Sequence, residues 1–182
     1  MIQRVYSPKG KMIVGYHTQE YRPVQLKEPI LCNDEQAWLG EGYYFWAEEE
    51  FAKIWGEDKK KRVTGSYSVY SAMIDQGYLL NTTFKEDDYF FFKDCIEQAI
   101  QNIKNNGEDI NIKDVHQYMK DVFWDVIGIT GIIYDDLPQN TKRYKKGKLH
   151  RVHSEIEPLY YKKRIQIVVF DLENIQNFKI HL

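Results

Sequence analysis

The sequence predicts an α+β fold. Two amphipathic helical stretches lie together in the middle of the chain, at Phe90 to Asn105 and Ile112 to Val126, and segments with strand character lie on both sides of them. Those segments are rich in β-branched and aromatic residues, the types that pack on a pleated, half-buried surface. A length of 182 residues, 43% hydrophobic and 29% charged, has the size and balance of one compact unit with a substantial core. Residues 1–182 are therefore read as a single domain, undivided by any linker, internal repeat or low-complexity tract.

In chain order, Lys11 to Thr18 reads as a first strand, entered through the turn Ser7-Pro8-Lys9-Gly10 and ending on the polar residues His17 and Thr18. Gln19 to Asp34 carries Pro23 and Pro29 without periodicity and is expected to be an irregular connection holding at most one short helix. Trp38-Leu39-Gly40-Glu41-Gly42-Tyr43-Tyr44-Phe45-Trp46 is a Gly-x-Gly turn running into aromatics. Two glycines let a backbone turn tightly and approach a ligand, and a tyrosine just beyond can lay its ring on a flat heterocycle. Glu48 to Trp55 predicts a short helix, acidic in its first turn and stopped by Gly56. Arg62 to Ile74 predicts a long strand, and Gly77 to Asn81 a turn with a short edge segment.

The helix at 90–105 rests on Phe91, Cys95, Ile96, Ala99, Ile100 and Ile103, with Asn106-Gly107 as its end. The helix at 112–126 rests on Val115, Tyr118, Met119, Val122, Phe123 and Val126, after a start signal at Asn111 or Asp114. Gly131 to Tyr134 predicts a short buried strand, Arg164 to Asp171 the strongest strand in the chain, and Ile175 to Ile180 the last one.

Composition narrows the function classes. A net charge of -2 excludes a chain that is basic throughout and binds nucleic acid by bulk charge. Cys32 and Cys95 stand apart, outside metal or disulfide spacing, which suits a reducing cytoplasm. The first residues lack a signal-peptide core, and no apolar run approaches the roughly 20 residues that span a bilayer. The histidines do not pair with acids or cysteines at metal-ligand spacing, apart from a weak His150-x-x-His153, so no metal is expected. No P-loop or nucleophile elbow is present.

Three segments, Tyr16-His17-Thr18, Gly40-Glu41-Gly42-Tyr43-Tyr44-Phe45 and Gln166-Ile167-Val168-Val169-Phe170-Asp171 with Glu173-Asn174-Ile175 behind it, come in an order and spacing that resemble the ADP-ribosyltransferases of the diphtheria-toxin and poly(ADP-ribose)-polymerase type. About twenty residues carry the likeness. It implies a split, strongly bent sheet with flanking helices and NAD bound as substrate in the cleft between. It implies that His17 bonds a ribose hydroxyl of the adenosine half, that backbone groups of Thr18 meet the nicotinamide carboxamide near Gly42, and that Tyr44 stacks on the nicotinamide. Gln166 stands where the family most often has the glutamate that steadies the oxocarbenium-like transition state, and Thr18 stands where many members have glycine. Glu155 and Glu157, upstream in the segment that resembles the target-recognition loop, are the alternative sources of a carboxylate, as base for the acceptor or as charge for the cation.

Lys142, Arg143, Lys145, Lys146, Lys148 and Arg151 fall within ten residues that hold no acid, interleaved with Tyr144 and His150. Cations for the backbone and rings for the bases suit single-stranded RNA or DNA as target, while a solvated loop is the plain alternative. The expected activity is mono-ADP-ribosyl transfer from NAD to a macromolecule, nucleic acid before protein. The resemblance and the chain's size imply a toxin or phage-defence effector, and an antitoxin or chaperone partner fits such a role. The rival readings are a catalytically silent module of the same fold and an NAD-independent toxin that acts on RNA through His150, His153 and the lysines.

Overall fold

The computed structural model describes residues 11–33, 37–105, 112–136 and 163–182. Its class is α+β: one mixed, seven-stranded sheet flanked by helices. The strands are β1 (Met12–Glu20), β2 (Tyr43–Trp46), β3 (Tyr67–Asp75), β4 (Leu79–Asn81), β5 (Gly131–Asp135), β6 (Ile165–Val169) and β7 (Ile175–Ile180), in the order β4-β5-β6-β2-β1-β3-β7. All neighbours are antiparallel except β4 and β5.

The register shows where this sheet divides. β1 runs beside β3 along its whole length, from Met12↔Asp75 to Glu20↔Tyr67, and β2 runs beside β6 from Tyr43↔Val169 to Trp46↔Gln166. Between β1 and β2 the register holds one pair, Tyr16↔Trp46. The halves β4-β5-β6-β2 and β1-β3-β7 therefore diverge from a narrow seam. On one face Phe45, Leu79, Ile133, Ile165, Ile167 and Val169 of one half share a buried cluster with Ala72 and Ile74 of the other, meeting over Gly15 of β1. Ile13, Ile175 and Phe178 close its margin. Burying a large apolar side chain contributes about 1.5–3 kcal/mol, so this inner cluster helps hold the two halves together across the seam.

The outer faces carry the helices. α1 (Glu49–Trp55) covers the seam, where Phe51 and Ala52 pack with Trp46 and Val69. α3 (Glu86–Asn105) and α4 (Ile112–Met119) cover the other half through Phe92, Cys95, Ala99, Ile103, Val115 and Met119, which bury against Leu80, Ile132 and Val168. The carboxylate of Asp88 reaches back to the Asn81 N–H at 2.8 Å and fixes the corner where β4 turns into α3.

Three expectations need correction. Gly56 does not stop the first helix: with φ −57° and ψ −52° it continues into a π-helical turn, Gly56–Lys60, and then α2 (Lys61–Thr64), which ends at Gly65 with φ 84°. Glycine is needed at 56 because a Cβ there would lie 2.3 Å from the Tyr67 ring. Arg62, Val63 and Thr64 are accordingly helical, and the strand begins only at Tyr67. The helix expected over 112–126 passes from α4 into a π-helical turn, Lys120–Trp124, and α5 (Asp125–Ile127). The wider turn breaks the 3.6-residue period, so Trp124 is fully buried while Val126, expected on the core face, is 79% exposed. Among the described residues, 21–33 hold no helix.

Candidate functional site

The sequence brings three segments to the seam. At the end of β1, His17 is buried with its ring against Phe45 and Phe178, at centroid distances of 5.6 and 6.0 Å. Its Nδ1 lies 2.9 Å from the backbone oxygen of Tyr44. A carbonyl only accepts, so Nδ1 carries the proton, and Nε2 of the neutral ring is left as an acceptor. Burial holds the imidazole neutral by lowering its pKa from 6.5 to about 4, against the opposing pull of the Tyr44 carbonyl. Nε2 is buried and has no hydrogen-bond partner among the described residues. Such an Nε2 can accept one hydroxyl proton once the packing of Phe45 and Phe178 around it opens. Thr18, beside it, turns its hydroxyl the other way and donates to the Ala52 carbonyl at 2.8 Å, which ties β1 to α1.

The Gly-x-Gly corner is built around Tyr44. Its phenol donates to the Gly40 carbonyl at 2.7 Å and accepts the Leu39 N–H at 2.9 Å, so the ring closes the turn that precedes its own strand. Gly40 takes φ 86°, a conformation that a side chain strains, and so the turn needs glycine. Gly42 is held by two backbone hydrogen bonds with Cys32, and the space a Cβ would take there is filled by Val168, 2.6 Å away. The second glycine thus serves packing onto β6. Tyr43 lies at the margin of the inner core, as its alternation with Tyr44 predicts.

Gln166 lies on β6 opposite Trp46 of β2 and Tyr134 of β5. Paired antiparallel residues point to one face, so Gln166, Trp46 and Tyr134 share a face with Tyr44, whose own partner is Val168. Tyr44 and Gln166 are diagonal neighbours on that face, about 7–8 Å apart by sheet geometry. Gln166 is 7% exposed, and its Oε1 accepts the indole N–H of Trp38 at 2.8 Å. Trp38 in turn meets the Tyr134 ring edge-on at 5.2 Å.

Sequence reasoning missed two residues here. Trp38 stands before the Gly-x-Gly corner in the sequence, yet it bonds Gln166, 128 positions away, a contact that no local pattern encodes, and it is half-buried. Arg164 stands two residues before Gln166 and so lies on the same face. Its guanidinium pairs with Asp136 at 2.9 Å and covers the rings of Trp46 and Phe51 at 5.1 and 5.8 Å. Burial pushes the Asp136 carboxyl up, and Arg164 opposes that shift.

The structure thus brings Tyr44 and Gln166 to one face of the sheet and turns the His17 ring to the other, against Phe45 and Phe178, so that His17 meets Tyr44 through its backbone carbonyl alone. Glu155, Glu157, Lys142, Arg143, Lys145, Lys146, Lys148 and Arg151 lie outside the described residues. Among the described residues no group of three or more His, Cys, Asp or Glu side chains converges as a metal site, and no helix is long and apolar enough to cross a membrane. Compared with models of protein families, with curated proteins and with solved structures, the chain matches none.

Proposed function

We propose that this protein is a mono-ADP-ribosyltransferase of the diphtheria-toxin and poly(ADP-ribose)-polymerase type, with NAD as donor and a macromolecule as acceptor. The reading is carried by one observation: a neutral, buried histidine at the end of β1 whose Nδ1 is tied to the backbone carbonyl of Tyr44, just beyond the Gly-x-Gly corner, and whose Nε2 has no partner among the described residues. In the reaction the C1′–N bond of NAD breaks and nicotinamide leaves with the electron pair. The oxocarbenium-like sugar then takes a nucleophile from the target, which gives up its proton. The protein has to clamp a bent NAD, hold the sugar hydroxyls and aim the acceptor. His17 receives a ribose hydroxyl, the Tyr44 ring covers the nicotinamide, and Gln166 meets the nicotinamide ribose.

The acidless run from Lys142 to Arg151 favours RNA or DNA as acceptor over protein. That target, and a role as toxin or phage-defence effector in the cytoplasm, belong to the proposal. The engaged oxygen of Gln166 favours a second reading, a module that binds NAD and transfers nothing.

Incubation with labelled NAD and, in parallel, RNA, single- and double-stranded DNA and cell lysate separates these readings. Label on nucleic acid with release of nicotinamide, lost in Tyr44→Ala and Gln166→Ala, is the expected result. Label on protein keeps the enzyme and overturns the acceptor. NAD binding without nicotinamide release leaves the silent module, and RNA cleavage without NAD overturns both.

A further inference from the structure

Gln166 offers a ligand something other than what its position alone suggests. An amide carries one acceptor oxygen and two N–H donors, and which end faces a ligand depends on what holds the other end. Here the holder is an indole, which donates only, so the atom 2.8 Å from Trp38 Nε1 is the amide oxygen on chemical grounds. The N–H donors of Gln166 are therefore turned away from Trp38. The indole cannot easily turn aside: it is half-buried, set edge-on against Tyr134, and stands one residue before the fully buried Leu39.

We propose that Trp38 is the positioning residue of this site and sets the polarity of residue 166. Through its N–H it fixes the Gln166 amide so that a bound sugar meets donors there, with its hydroxyl oxygens as acceptors. The same N–H provides a seat for one oxygen of a carboxylate at 166, which leaves the second oxygen for the sugar. This role rests on the NAD-cleaving reading. The fixed amide holds the sugar hydroxyls in place but carries no net charge to steady the cation that forms in the step by which nicotinamide leaves. A carboxylate held by the same indole speeds it.

The test uses Trp38→Phe, which keeps an aromatic ring against Tyr134 and removes the donor, together with Gln166→Glu and the double variant. Two readouts are followed: kcat and KM for nicotinamide release, and the side-chain amide resonances of Gln166 in a 1H–15N spectrum. In Trp38→Phe the Gln166 resonances should shift, and kcat should fall about tenfold with KM little changed, the scale of one hydrogen bond made in the transition state. Gln166→Glu should raise kcat about tenfold or more when Trp38 is present, and the double variant should lose that gain. A Trp38→Phe spectrum with unmoved Gln166 resonances, or a gain from Gln166→Glu that is the same with and without Trp38, overturns the proposal. If no protein in the set releases nicotinamide, the function reading fails, and the resonances alone decide the role of Trp38.

Discussion

Acid should unfold this protein mainly through two histidines. His17 and His116 are both buried, and burial lowers each from 6.5 to about 4. His116 is 1% exposed, with its ring 5.7 Å from Phe92 and 5.9 Å from Trp124, and its Nδ1 has no hydrogen-bond partner among the described residues. In the unfolded chain each imidazole takes a proton near pH 6.5, whereas in the folded protein it stays neutral until about pH 4. Unfolding therefore takes up protons in that window. The stabilisation is complete above 6.5 and is lost as pH falls toward 4. At 1.36 kcal/mol per unit, a difference of about 2.5 units costs about 3 kcal/mol for each histidine. The pair together removes about 6 kcal/mol, a large part of the roughly 5–15 kcal/mol that holds a typical domain. Glu20 and Glu49, whose carboxyls are lowered from 4.5, act at more acid pH, and Asp136, whose carboxyl is raised, acts with the opposite sign. Urea unfolding at a series of pH values from 7.5 to 4 should show stability falling between 6.5 and 4. His116→Phe, which keeps an aromatic ring beside Phe92 and Trp124, should lose about half of that slope. A pH-independent midpoint, or an unchanged slope in His116→Phe, would refute the reasoning.

Further consequences follow from single contacts. Tyr44→Phe removes the hydroxyl that bridges the Gly40 carbonyl and the Leu39 N–H, and should cost about 1–3 kcal/mol in chemical denaturation. Gly56→Ala drives a methyl into the Tyr67 ring. It should lower stability by about 1–3 kcal/mol, read as a drop in Tm, and a neutral result would show that the ring yields freely. Asp88→Ala leaves the Asn81 N–H without its carboxylate and should destabilise by about 1–3 kcal/mol, with hydrogen exchange of that amide accelerated.

Local pattern carried most of the elements. The spacing of Cys95, Ala99 and Ile103 places α3 because residues three and four apart share a helix face, and all three are buried. The alternation at Tyr43 and Tyr44 assigns one ring to the inner core and the other to the face of Gln166, since strands turn successive side chains to opposite sides. The pattern failed at Gly56 and Val126 for one reason. Gly56 opens one π-helical turn and Val126 follows another, and their wider winding depends on what packs against the helix and leaves no mark in a 3.6-residue period.

The sequence by itself determined the α+β class and the order of most strands and helices along the chain. Those properties follow from the periods of neighbouring residues and from turn chemistry, which act over a few positions. Tertiary structure alone decided that β1 and β2 meet at one register pair, that the His17 Nδ1 spends its proton on the Tyr44 carbonyl, and that Trp38 takes the oxygen of Gln166. Each of these joins residues brought together only when the sheet is assembled, because a hydrogen bond is satisfied by whichever partner the packed chain delivers, however far away it lies in sequence.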